Sequence, residues 1–156
     1  TNPAGANCQV LGVYREDLTD TLAEVLKNLG SKRAFVVHGA DTLDEITITG
    51  KTKISEVKDK KVKTFYVKPS DFGMEPANIE DIAGGTSEEN AKIVKDVISG
   101  EKGPRRDIVL LNASAALVAG GRAKDFKDGI KIAIESIDSG KALKKLESLK
   151  EFTNSD

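Results

Sequence analysis

Apolar residues follow two rhythms along the chain, short continuous runs early and helical stripes later. Residues 9–14 form a brief apolar segment that reads as a strand. Leu18, Leu22, Val25, Leu26 and Leu29 then recur at the spacing of one helix face. Asp17 stands where it can cap that helix and Gly30 where it can end it. Residues 34–37 are apolar without interruption, the pattern of a strand covered on both faces, as in parallel sheets. Helix followed by covered strand is the repeating unit of α/β folds.

Residues 45–49 alternate apolar and polar and are β-branched, which predicts a half-buried strand ended by Gly50. Residues 51–57 suit either a short strand or a single helical turn. Residues 62–67 read as a strand leading into Lys68-Pro69, and Asp71-Phe72-Gly73 as a turn without kinase context. A short helix is expected over 78–83, ending at Gly84-Gly85. Thr86 and Glu89 form a capping box for a helix to Gly100, with Ala91, Val94, Val97 and Ile98 inward. Pro104 opens a segment to Ala119 that is apolar on nearly every side, which predicts a buried central helix. Phe126, Ile130, Ala133, Ile134 and Ile137 trace another stripe, stopped by Gly140. Leu143, Leu146 and Leu149 suggest a last short helix, with 153–156 frayed. The pattern gives a single α/β domain over 1–156, built on a central, mostly parallel sheet flanked by helices.

Composition narrows the function classes. At 156 residues the chain can bury a substantial core, which must rest on aliphatic residues because aromatics are 4% and Trp is absent. Basic and acidic residues number 24 and 25 and are interspersed, which argues against a nucleic-acid partner. The lysine-rich run at 58–63 reads as a solvated turn entering a strand. Cys8 is the single cysteine, so no internal disulfide forms and a cytoplasmic setting is expected. No apolar stretch of about 18 residues is present, so no membrane partner is expected.

Candidate chemistry centres on Val36-Val37-His38-Gly39-Ala40-Asp41-Thr42-Leu43-Asp44-Glu45. An apolar run ends in a glycine turn, and two adjacent carboxylates follow at once. Open α/β sheets bind ligands at the carboxyl ends of their strands. Mg²⁺ commonly takes one or two protein carboxylates and completes its shell with water and phosphate. Asp44 and Glu45 are therefore a candidate metal pair, or two exposed carboxylates at a strand start; spacing alone admits both. Adjacent strand residues point to opposite faces, so both could reach one ion only where the backbone turns. His38, at a strand end, suits a packed, hydrogen-bonded role better than a ligand. Gly84-Gly85-Thr86 could offer N–H groups to an anion, or could simply stop one helix and start the next. Asn112 is a lone amide in an apolar helix, best read as bonding a neighbouring loop. A Cys8 nucleophile lacks an evident partner.

An ordered series adds to these readings: Asn2-Pro3-Ala4, Gln9, Gly12-Val13-Tyr14, Val36-Val37-His38-Gly39, Leu43-Asp44-Glu45-Ile46, Phe72-Gly73, Gly84-Gly85, Glu89-Asn90-Ala91, Leu111-Asn112-Ala113 and Ser139-Gly140-Lys141-Ala142. In that order these pieces resemble the carboxyl-terminal part of the anthranilate phosphoribosyltransferase family. The resemblance implies transfer of a phosphoribosyl group from phosphoribosyl pyrophosphate to the amine of anthranilate, in tryptophan biosynthesis. It implies an α/β domain beside a small helical domain, and a homodimer of the intact enzyme. It also implies that Asp44 and Glu45 bind the Mg²⁺ accompanying the pyrophosphate. The family's glycine-rich Gly-Thr-Gly-Gly-Asp loop, its Lys-His-Gly-Asn segment and its anthranilate-contacting Arg have no counterpart in this series. This chain is therefore expected to be the carboxyl-terminal fragment of a longer enzyme, inactive alone, and either to self-associate or to bind a missing amino-terminal portion supplied separately. An exposed scar is expected beside residues 9–14 and 33–37. Thr42 stands where the family usually has Gly, and a β-branched residue resists positive φ, so a reshaped turn is expected. A pyrimidine nucleoside phosphorylase and a non-catalytic nucleic-acid-binding paralogue of the fold are the competing readings.

Overall fold

The computed structural model describes residues 5–154. The Asn2-Pro3-Ala4 start of the family series and the final residues of the expected frayed end lie outside them. Four strands form one sheet in the order β1 (Cys8–Gly12), β2 (Arg33–Gly39), β3 (Thr52–Lys58), β4 (Lys61–Val67). Helix α1 (Leu18–Asn28) joins β1 to β2 and makes that pair parallel. The other two pairs are antiparallel. The α/β architecture is thus as expected, but the sheet is mixed rather than mostly parallel. The reason is the connections: a parallel return needs a crossover, and only β1 to β2 has one. The lysine-rich run forms a two-residue hairpin turn at Asp59 and Lys60, both at positive φ, as such tight turns require.

β2 is the spine. Its alternate side chains feed two cores. Ala34 and Val36 join Ala23 and Leu26 of α1 with Val57 on one face. Phe35 and Val37 join Ile54 and the helical layer on the other. Burying a side chain the size of Phe35 contributes roughly 1.5–3 kcal/mol. Asp20 fastens α1 across the sheet, accepting hydrogen bonds from Lys53 (2.8 Å), Ser55 (2.7 Å) and Thr64.

After a 3-10 turn at Pro69–Phe72, the chain is helical: α2 (Ile79–Ile82), α3 (Ser87–Ile98), α4 (Pro104–Ala119), α5 (Phe126–Asp138) and α6 (Lys141–Asn154). α4 is the expected central helix, burying Leu110, Leu111, Ala115 and Val118 against the sheet and α5. The stripe expected on α5 is also seen, with Ile130, Ala133 and Ile137 buried. α6 runs further than expected and takes in Thr153 and Asn154, because nothing in its sequence breaks a helix before that point.

Three further expectations change. Residues 45–49 are not a strand; their backbone groups bond to side chains and loops, as set out below. On α3 only Val97 is buried, while Ala91 and Val94 are exposed. The helix touches α4 and α6 only lightly, which leaves Ala91 and Val94 uncovered among the described residues. The scar expected beside 33–37 is absent because β2 is interior; β1 is one of the two edge strands and, among the described residues, is bonded on one side only. No described helix is long and apolar enough to cross a membrane.

Candidate carboxylate site at the sheet edge

Because β1 and β2 are parallel, both deliver their carboxyl ends to one edge of the sheet. The Val13 N–H bonds to the Val37 carbonyl at 3.0 Å, and His38 Nδ1 lies 2.8 Å from the Val13 carbonyl oxygen. His38 is thereby a buried strand-end residue fixed to its neighbour, not a free ligand. Cys8 pairs in register with Arg33, at the opposite end of β2 from His38, so the thiol and the imidazole do not meet.

The loop leaving β2 turns back at once. Thr42 donates its N–H to the Gly39 carbonyl at 2.9 Å, and Gly39 donates to the Leu43 carbonyl at 2.9 Å. Thr42 takes φ of 73°. The left-handed turn that usually falls to glycine is therefore kept, with Thr42 bearing the strain. Asp41 organises the inside of the loop. Its carboxylate accepts from the Leu43 N–H at 3.2 Å and from the hydroxyls of Thr47 and Thr49. Partial burial pulls the Asp41 carboxyl upward, but these donors outweigh it and hold the group below its ordinary range.

Past the turn, Asp44 and Glu45 are both exposed. The approach of the loop to β1 is very close. A Cβ on Gly12 would fall 1.7 Å from the Asp44 carbonyl oxygen, so only glycine admits the loop there. Glu45 has its carboxyl pushed up, first by crowding against protein and second by the adjacent Asp44 charge. Two like charges side by side form an arrangement that a divalent cation would relieve.

Beyond Glu45 the backbone dives inward, and Ile46, Thr47 and Ile48 are buried in succession. Consecutive burial rather than alternation shows why this is no strand. Ile46 N–H donates to Asn112 Oδ1 at 2.9 Å, and Thr47 N–H to Thr52 Oγ1 at 2.9 Å. Thr49 N–H donates to Thr47 Oγ1 at 3.0 Å, and the Ile48 carbonyl accepts from Ala77 at 3.0 Å. Asn112, from the middle of α4, also donates Nδ2 to the Ile46 carbonyl at 2.9 Å and to the Ile108 carbonyl at 3.0 Å. It is the loop-bonding amide expected from the sequence.

At the other candidate anion site, two of the three N–H groups are already taken. Gly85 N–H is taken by Asn90 Oδ1 at 2.8 Å and Thr86 N–H by Glu89 at 2.7 Å. Gly84-Gly85-Thr86 is the stop and restart of helices.

Among the described residues no group of three His, Cys, Asp or Glu side chains forms a metal cage. Asp44 and Glu45 are two exposed carboxylates, the number that Mg²⁺ commonly takes from protein when water and substrate phosphate complete its shell. Two contributors escaped sequence reading. Gly12 was visible only as a motif letter, and Asp41 only as part of a turn. The alternating Thr47 and Thr49 were the available signal for Asp41, because hydroxyls spaced two apart can converge on one acceptor.

Residues 1–143 match the model of a glycosyl transferase family, a/b domain. The anthranilate phosphoribosyltransferase of Geotalea uraniireducens (strain Rf4) is 56% identical over 154 residues, 99% of this chain and 44% of that relative. The crystal structure of anthranilate phosphoribosyltransferase from Thermus thermophilus superposes with a TM-score of 0.91 at 36% identity, covering 99% of this chain and 46% of that one. The Saccharomyces cerevisiae enzyme in complex with PRPP and Mg matches with a TM-score of 0.80 at 34% identity, over 90% of this chain and 41% of that one. The chain therefore spans less than half the length of these relatives.

Proposed function

The chain belongs to the glycosyl transferase family, through its α/β domain, and on that premise we propose that it is the carboxyl-terminal α/β part of an anthranilate phosphoribosyltransferase. The whole enzyme would transfer phosphoribosyl from phosphoribosyl pyrophosphate to the amine of anthranilate, releasing pyrophosphate, in tryptophan biosynthesis. We place it in the cytoplasm and assign the intact enzyme a homodimeric state. The relatives' amino-terminal part would supply the glycine-rich phosphate loop and the anthranilate contacts, so this chain alone would not turn over.

The observation that carries the reading is the exposed Asp44 and Glu45 pair at the carboxyl ends of β1 and β2, held by Gly12 and Asn112. Asp44 and Glu45 would hold Mg²⁺, and the ion, when bound, would neutralise the departing pyrophosphate. The side chains of this chain keep two carboxylates facing outward and leave the remaining ion positions to water and phosphate. Asp41 takes no part in the binding; its oxygens are already engaged with the loop.

The test uses the chain completed by a relative's amino-terminal part. Replacing Asp44 with Asn and Glu45 with Gln together should raise the Mg²⁺ concentration needed for half-maximal transfer and lower activity sharply at limiting Mg²⁺. Unchanged metal dependence in an active double variant would refute the assignment.

A further inference from the structure

We infer that Asn112 is a positioning residue for the carboxylate pair, setting from helix α4 the direction in which Glu45 is presented. The inference rests on the reading of Asp44 and Glu45 as metal ligands. Asn112 and Ile46 lie 66 residues apart, yet the amide grips both backbone groups of Ile46, accepting from its N–H and donating to its carbonyl, each at 2.9 Å. That pair of bonds fixes the peptide planes on both sides of Ile46, the residue directly after Glu45. The same Nδ2 stands 3.4 Å from Glu45 Oε2, so it also faces the carboxylate itself. Its third contact, to Ile108 one turn back at 3.0 Å, locks the amide to α4. Ile46 cannot shift outward to compensate, since its side chain is fully buried in the main core.

A side chain that merely filled space would satisfy its own helix or one loop group. Asn112 instead spends both ends of its amide on one residue of the loop that carries the acidic pair. Groups that hold ligands in place, without touching the ion, commonly change metal affinity by roughly 10–100-fold when removed.

The experiment compares Asn112→Leu, Asn112→Ser and the Asp44→Asn, Glu45→Gln double variant, each in the chain completed by a relative's amino-terminal part. Leu keeps the volume and loses every bond. Ser can return its hydroxyl to the Ile108 carbonyl, which protects folding while releasing the loop. Two readouts are taken: deuterium exchange over residues 43–49, and Mn²⁺ binding in the presence of phosphoribosyl pyrophosphate, followed by water-proton relaxation. Both Asn112 variants should exchange faster in that segment and bind Mn²⁺ roughly tenfold more weakly or worse. If the double variant loses Mn²⁺ while both Asn112 variants bind it as tightly as the unaltered protein, the Asn112 role is wrong and the ligand reading stands. If the double variant keeps Mn²⁺ affinity, the ligand reading falls and takes this inference with it.

Discussion

Asp41 and Glu45 occupy one short loop, yet the protein treats their charges in opposite ways. Asp41 is turned inward, and an N–H and two hydroxyls surround its carboxylate. Glu45 is exposed beside a second carboxylate, and the Asn112 Nδ2 stands 3.4 Å from its Oε2. The first group is held below its ordinary range and the second is pushed above it. One carboxylate is thus used to build the loop, and the other is kept available at a cost to the loop. Among the described residues no buried side-chain nitrogen or oxygen lacks a partner.

The largest expected effect is at Asp41. Replacing Asp41 with Ala removes the charged acceptor of the Leu43 N–H and of two threonine hydroxyls, and should cost roughly 2–4 kcal/mol in urea unfolding, as lost bonds to a charged acceptor do. A loss under about 0.5 kcal/mol would mean the loop does not depend on it. Gly12→Ala should come next. The added Cβ overlaps the Asp44 carbonyl, and displacing the loop should cost about 1–3 kcal/mol with faster deuterium exchange over residues 43–49. Unaltered exchange there would contradict the close approach. Thr42→Gly has the opposite sign. It relieves a positive φ and should stabilise by up to about 1 kcal/mol, the strain released less the entropy glycine adds to the unfolded chain.

The smallest expected effect is on the pH dependence of stability. Asp41 contributes stability that is complete above the ordinary Asp value of 3.8 and is lost as pH falls below it through its depressed folded value. Glu45 works the other way. Its folded carboxyl is raised, so it costs nothing at low pH and destabilises as pH climbs above the ordinary Glu value of 4.5. Glu45→Gln should therefore leave acid stability unchanged and raise neutral stability slightly, while Asp41→Asn should lower neutral stability and flatten the acid limb. Matching pH profiles for the two variants would remove the distinction between them.

Much of this arrangement was legible in the chain, and the parts that were not share a cause. The strand over Ala34 to Val37 and the helix opened by Pro104 stood out because an unbroken apolar run and a proline at a first helical position are local signals. Glu45 to Thr49 misled because β-branched alternation looks the same whether threonine hydroxyls face solvent or turn back on the main chain. Here Thr47 and Thr49 replace the ladder with side-chain bonds. The mixed sheet was equally hidden, since the direction of β3 is set by how residues 40–51 fold back rather than by β3 itself. At the site, the acidic pair was visible as adjacent letters and through family resemblance. Asn112 was seen as a loop-bonding amide, but its partner was not, because no spacing rule connects residues 66 apart.

The most direct measurement is a crystal structure of the chain completed by a relative's amino-terminal part, soaked with Mg²⁺ and phosphoribosyl pyrophosphate. The expected result is an ion about 2.0–2.1 Å from a carboxylate oxygen of Asp44 or Glu45, with pyrophosphate oxygens and water completing its shell and Asp41 still bonded to Thr47 and Thr49. An ion held elsewhere, with Asp44 and Glu45 facing bulk solvent, would contradict the assignment.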